Sequence, residues 1–167
     1  NPVNIRWSVA EIVYSLDDCD TRILLIDDTF VPMAQAIASS ARVRPLLIHV
    51  GDGPAPEGML GYEQLIETAV AVGDASRGGD DLACILYTGG TTGRPKGVML
   101  SHMNLWSAAV ARCADVPVLD DARSLHIAPM FHLAALSRVI LVSLLGLPSF
   151  FVPAFDAVDV MRTIARE

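Results

Sequence analysis

Thr88-Gly89-Gly90-Thr91-Thr92-Gly93-Arg94-Pro95-Lys96-Gly97 decides how the rest of this chain is read. Four glycines and three threonine hydroxyls fall within these ten residues, together with Lys96, the one lysine in the sequence. An apolar run, Leu82-Ala83-Cys84-Ile85-Leu86-Tyr87, enters the stretch, and a second, Val98-Met99-Leu100, leaves it. Glycines let backbone approach a ligand closely and reach positive φ. Successive N–H groups in such a loop form an anion-binding nest. Hydroxyls and one ammonium complete a donor set suited to a polyphosphate.

The plainer reading is a mobile turn between two strands, and residue types alone leave it open. The Walker A pattern fits poorly, because Lys96 is followed by Gly97 rather than by Ser or Thr. Pro95 turns Arg94 away from helical backbone, and an apolar triplet follows instead of a helix. The expectation is therefore a strand–loop–strand phosphate site.

The string from Tyr87 to Gly97 resembles the signature of the adenylate-forming, AMP-binding superfamily, which includes acyl-CoA synthetases, aryl-CoA ligases, luciferases and peptide-synthetase adenylation domains. Gly89 stands where serine is common, a variant that resembles the fatty acyl-CoA synthetases. Pro129-Met130-Phe131-His132 resembles the Pro-x-Phe-His element that follows this loop in the family. Pro2-Val3-Asn4-Ile5-Arg6, with Glu11 and Leu16, resembles a further segment of the N-terminal domain. The resemblance runs through nearly the whole chain.

It implies a layered α/β fold, with largely parallel sheets flanked by helices. Residues 1–167 are expected to be a single partial domain, an internal piece of the large N-terminal domain, with the small C-terminal domain absent. It also implies an acid–thiol ligase. A carboxylate, taken as a fatty acid, attacks the α-phosphate of ATP, and coenzyme A then displaces AMP. Thr88, Gly89, Gly90, Thr91, Thr92, Gly93 and Lys96 are expected to bind the phosphates and the departing pyrophosphate. His132 is expected to line or gate the acyl pocket.

The family's Tyr-Gly-x-Thr-Glu segment, whose Glu helps hold Mg2+, is not in this sequence. Neither is its Thr-Gly-Asp ribose segment, nor the catalytic lysine of the small domain. These 167 residues alone are therefore expected to be inactive, with the magnesium ligand mostly elsewhere. The alternative is a non-catalytic phosphate-binding or assembly module built on the same fold.

Composition agrees with a partner-covered piece of an enzyme. Apolar residues make up 52% of the chain and mean hydropathy is +0.44, high for a soluble domain. Self-association of the isolated chain is expected. A net charge of −7 with no basic tract argues against nucleic acid and anionic membranes. Cys19, Cys84 and Cys113 are odd in number and widely spaced, which suits a reducing, cytoplasmic setting more than a disulfide framework or metal site. Residues 133–152 are nearly apolar but interrupted by Arg138, Gly146 and Pro148. They read as a buried helix and a buried strand, with no transmembrane segment.

Along the chain, Ser8 and Glu11 have capping-box spacing, ahead of Val9, Ile12, Val13 and Leu16 at helical spacing. Residues 23–26 read as a strand buried on both faces, and 46–50 as the next strand. Residues 30–41 and 62–72 read as helices. Strands are expected on both sides of the loop and at 125–128 and 150–152. Helices are expected at 104–114 and 133–145, with a last one capped by Asp156. Alternating strands and helices favour parallel sheets, whose ligand loops lie at the carboxyl ends of strands. Tyr87 and Pro129 both end expected strands, so the loop and His132 are expected to face one cleft.

Overall fold

The computed structural model describes residues 1–89, 93–115 and 121–167. It is a mixed α/β structure with parallel sheets and flanking helices. The chain divides into two compact units. One comprises Val3–Ser76 and Tyr87–Gly97, and the other Asn1–Pro2, Arg77–Leu86 and Val98–Glu167.

In the first unit, α1 spans Val9–Asp18. Its start is fixed locally. The Ser8 N–H and hydroxyl both donate to Glu11 Oε2, at 2.8 and 2.7 Å, and the Glu11 N–H reaches back to Ser8 Oγ. The reciprocal pair satisfies donors left free at the first turn. The Ser8 N–H, and then its hydroxyl, hold the Glu11 carboxyl below the usual carboxylate range. Ile12 and Leu16 then pack with Ile37 of α2, which spans Val31–Ser40.

Strands β1 (Ile23–Ile26) and β2 (Leu46–His49) pair in parallel across α2, with Ile23 opposite Leu46. A two-residue β3, Leu60–Gly61, adds to β2. Ile26, Ala34, Ala38 and Leu47 form a core between this sheet and α2. Leu24 belongs to the surroundings of both cores, so α1 and α2 serve the same sheet face. The other face is open in this unit. Ile23 and Leu25 are 51% and 56% exposed, which corrects the expectation of burial on both sides. Period-two alternation put half of a continuous apolar run on a side that neither helix covers.

The helix α3, Tyr62–Thr68, stops short of the expected Val72. It buries no residue, and helices this short depend on packing. Beyond it Val70 and Val72 are almost fully exposed. At the carboxyl ends of β1 and β2, the His49 Nε2 lies 2.7 Å from Asp28 Oδ1, with the imidazole buried. Gly51 passes so close that a Cβ there would stand 2.7 Å from both Asp28 Oδ2 and the His49 ring. Gly51→Ala should therefore cost about 1–3 kcal/mol by overpacking. Urea unfolding is the measurement, and an unchanged midpoint would mean that His49 moves freely.

In the second unit, α4 (His102–Asp115) packs on α5 (Leu133–Leu144). Strands β6 (Ser124–His126) and β7 (Ser149–Phe151) pair in parallel. Asp156 caps α6 (Ala157–Arg166) by accepting from the Val158 and Asp159 N–H groups at 2.9 and 3.0 Å. The near-apolar 133–152 stretch is thus a helix, turn and strand, and among the described residues no helix is long and apolar enough to cross a membrane. The strand is less buried than expected. Phe151 is 56% exposed, because a two-stranded sheet covers little on its own.

The remaining strands are β4, Leu82–Thr88, and β5, Lys96–Ser101, which form a two-stranded sheet. They hold the two ends of the glycine- and threonine-rich loop.

Candidate phosphate site

The apolar run of β4 delivers Tyr87 and Thr88 to the start of the loop, and β5 begins at Lys96. The expected strand–loop–strand arrangement is present. The Thr88 hydroxyl donates to the Lys96 carbonyl at 3.4 Å, a long contact that closes the base of the loop. Gly90, Thr91 and Thr92 lie outside the described residues.

Gly89 and Gly93 show what the glycines are for. Among the described glycines, positive φ occurs at Gly58, Gly79 and Gly146, not at these two. The sequence argument from left-handed backbone therefore does not hold for them. A Cβ at either position would meet no described residue within 4 Å, so neither glycine is needed for packing against those residues. The Lys96 side chain is exposed. It has no hydrogen bond or ion pair with any described residue. An ammonium with no partner among the described residues is a donor that an anion meets without first displacing one of them.

Both ends of the loop touch α1. The Tyr87 ring packs edge-on to Trp7, with ring centres 5.9 Å apart. Its hydroxyl donates to Asp18 Oδ2 at 2.7 Å and is 3.1 Å from the Ser15 carbonyl oxygen. Burial first, and then the Asp18 hydrogen bond, push the phenol well above its usual range, so it remains a donor. On the far side, the Arg94 guanidinium lies 5.3 Å from the centre of the Tyr14 ring. Sequence reasoning missed these contacts. A faint signal was present in Asp17-Asp18, two acids in the last turn of α1, where the helix dipole disfavours negative charge.

His132 occupies the N-cap of α5 without a side-chain capping bond. Its ring is exposed and stands 4.4 Å from that of buried Phe131. The residues after it, Leu133 and Ala134, line a cleft of about 270 Å³ with Ala108, Arg112, Ser137, Arg138 and Leu141. His132 itself is not part of that lining. The nearby His126 differs. It is buried, stacked on Phe151 and 3.2 Å from Ser149 Oγ. Burial, and then the Arg138 charge, hold it below the usual histidine range. His126 is committed to the fold, while the His132 ring is open to a ligand.

A sequence profile described as AMP-binding enzyme matches residues 1–167. The chain belongs to the AMP-binding enzyme family. The chain is 33% identical over 171 residues to the long-chain-fatty-acid–CoA ligase FadD13 of Mycobacterium tuberculosis, covering 99% of this chain and 32% of that protein. It is 31% identical over 155 residues to 2-succinylbenzoate–CoA ligase of Bacillus mycoides, covering 93% and 28%. It is also similar to the crystal structure of ATP-bound MatB from Rhodopseudomonas palustris, with a TM-score of 0.78 and 31% identity, covering 98% and 32%. The chain spans about a third of the length of the curated relatives it matches.

No group of three His, Cys, Asp or Glu among the described residues forms a metal site. Cys19, Cys84 and Cys113 are half-buried and are not joined in disulfides.

Proposed function

We propose that residues 1–167 form part of the N-terminal AMP-binding domain of an ATP-dependent acid–thiol ligase that activates a fatty acid. In the proposed reaction, a carboxylate oxygen bonds to the α-phosphorus of ATP, and the bond from that phosphorus to the bridging oxygen breaks. Pyrophosphate leaves. The thiol of coenzyme A then attacks the acyl carbon, AMP departs, and the thioester forms. Lys96, the Thr88, Thr91 and Thr92 hydroxyls and the backbone of Gly89, Gly90 and Gly93 have the donors to hold the β- and γ-phosphates and take up the leaving charge. This role is positioning and charge neutralisation. The observation that carries the reading is the loop itself, a strand–loop–strand element whose Lys96 has no partner among the described residues. FadD13, named for long-chain fatty acids, supports the choice of acid.

Fatty-acid-dependent exchange of labelled pyrophosphate into ATP by the full-length protein tests the proposal. A panel should include long-chain acids and 2-succinylbenzoate. Exchange driven by the aryl acid alone would move the substrate class. ATP binding without exchange for any acid would favour the non-catalytic phosphate module.

His132 is proposed to bound the acyl pocket without acting as a base, because a carboxylate near neutral pH needs no deprotonation. His132→Ala should shift the preferred chain length more than it lowers exchange with a good substrate. Equal loss for every acid, with their affinities intact, would contradict this.

Exposed Ile23, Leu25 and Leu46 on one sheet, and Val158, Met161 and Ile164 on α6, support self-association of the isolated 167-residue chain. Light scattering should report a dimer or larger species, and a monomer at micromolar concentration would refute it. The odd number and wide spacing of Cys19, Cys84 and Cys113 suit the cytoplasmic location that we propose.

A further inference from the structure

One turn of α1 meets both ends of the phosphate loop. Tyr14 and Asp18 are four residues apart and so share a helix face. Asp18 accepts the Tyr87 hydroxyl just before the loop, and Tyr14 lies under the Arg94 guanidinium just before it ends. We propose that Tyr14 and Asp18 are positioning residues for nucleotide phosphates, seating the loop at its entry through Tyr87 and at its exit through Arg94. This rests on the phosphate-binding reading above.

Three physical points support the seat. First, Tyr87 and Arg94 hold the backbone next to Thr88 and Lys96, and donors fixed in place before a ligand arrives bind it more tightly. Second, α1 is a firm base. Its start is capped by Ser8 and Glu11, and its inner face is held by Ile12 and Leu16. Third, an acid in the last turn of a helix works against the dipole. Asp17 has its bond to Arg42, and Asp18 has one to Tyr87. Asp18 is exposed, so folding alone gives little reason for its contact. A contact that only tied β4 to α1 would affect stability and the amount of active enzyme. A seat for the loop affects ATP affinity.

The test uses the full-length protein and initial rates with ATP and fatty acid varied separately. Tyr87→Phe and Asp18→Ala should each raise KM for ATP about 5- to 10-fold, the effect of one net hydrogen bond. The kcat and the KM for fatty acid should stay within about 2-fold of wild type, well under one such bond. The double variant should be no worse than either single one, because both break the same contact. Asp18→Asn keeps a carbonyl oxygen for the phenol and should restore the wild-type KM. Tyr14→Leu removes the ring under Arg94 and should raise KM about 2- to 3-fold. Asp17→Ala, at the same helix end but bonded to Arg42, should leave KM unchanged.

Lowered kcat with unchanged KM for ATP in the Tyr87 and Asp18 variants would overturn the seat. So would Asp18→Asn behaving like Asp18→Ala. Lys96→Ala separates the two levels of the argument. If it raises KM for ATP while Asp18→Ala does not, the seat fails and the phosphate site stands. If neither variant changes ATP use, both fail. Should Tyr87→Phe not fold, the two Asp18 variants, at an exposed position, still decide.

Discussion

Lys96→Ala in the full-length protein is expected to lower kcat/KM for ATP about 10- to 150-fold, the equivalent of losing one charge-assisted hydrogen bond. The physical ground is that this ammonium is exposed and has no acid or carbonyl partner among the described residues. Its removal therefore uncovers no buried group and should leave the unfolding temperature unchanged. The loss should appear with every acid tested, since the charge serves the phosphates and not the acyl chain. Lys96→Arg should recover only part of the activity, because a planar fork does not replace a compact point charge. Thr92→Val, which deletes one hydroxyl donor, should act in the same direction with a smaller effect. Steady-state kinetics with ATP varied, paired with thermal unfolding, separates the outcomes. Unchanged kinetics in either Lys96→Ala or Thr92→Val would remove the phosphate assignment.

The second large effect concerns the fold that carries the loop. Leu16→Ala should destabilise the protein by about 2–5 kcal/mol through lost burial and the cavity left behind. Leu16 is 3% exposed and packs with Ile12 and Ile37 where α1 meets α2. Its carbonyl also accepts the Thr21 N–H at 2.9 Å as the chain leaves the helix. The cavity should therefore loosen the same turn that touches Tyr87. Urea unfolding of the full-length protein, followed by circular dichroism, should show an earlier first transition. A loss below about 1 kcal/mol would mean that the site refills and that α1 is held by something other than this core.

The correct parts of the sequence reading have a common cause. The capping box of Ser8 and Glu11 and the Asp156 cap both arise within one or two turns of chain. The strands around the loop were visible because apolar runs stop abruptly at Thr88 and start again after Lys96. The errors share a cause as well. An apolar run such as Ile23–Ile26 does not reveal how many layers cover it. The extension of α3 to Val72 rested on periodicity alone, without knowledge that the helix buries no residue. The two-residue β3 is too short to leave a pattern and exists only because β2 lies beside it.

The same division runs through the candidate site. The sequence by itself determined the chemistry on offer, with its glycines, its hydroxyls, one lysine and the histidine after Phe131. These are covalent properties of a local string and need no partner to be legible. Only the tertiary structure decided that no described residue crowds Gly89 or Gly93 and that the His132 ring is exposed while His126 is buried and stacked. It alone decided that Tyr87 bonds Asp18, 69 positions away, and that Arg94 rests on Tyr14. Contacts across such separations depend on how whole elements pack, and no local spacing encodes which helix turn will meet which strand end.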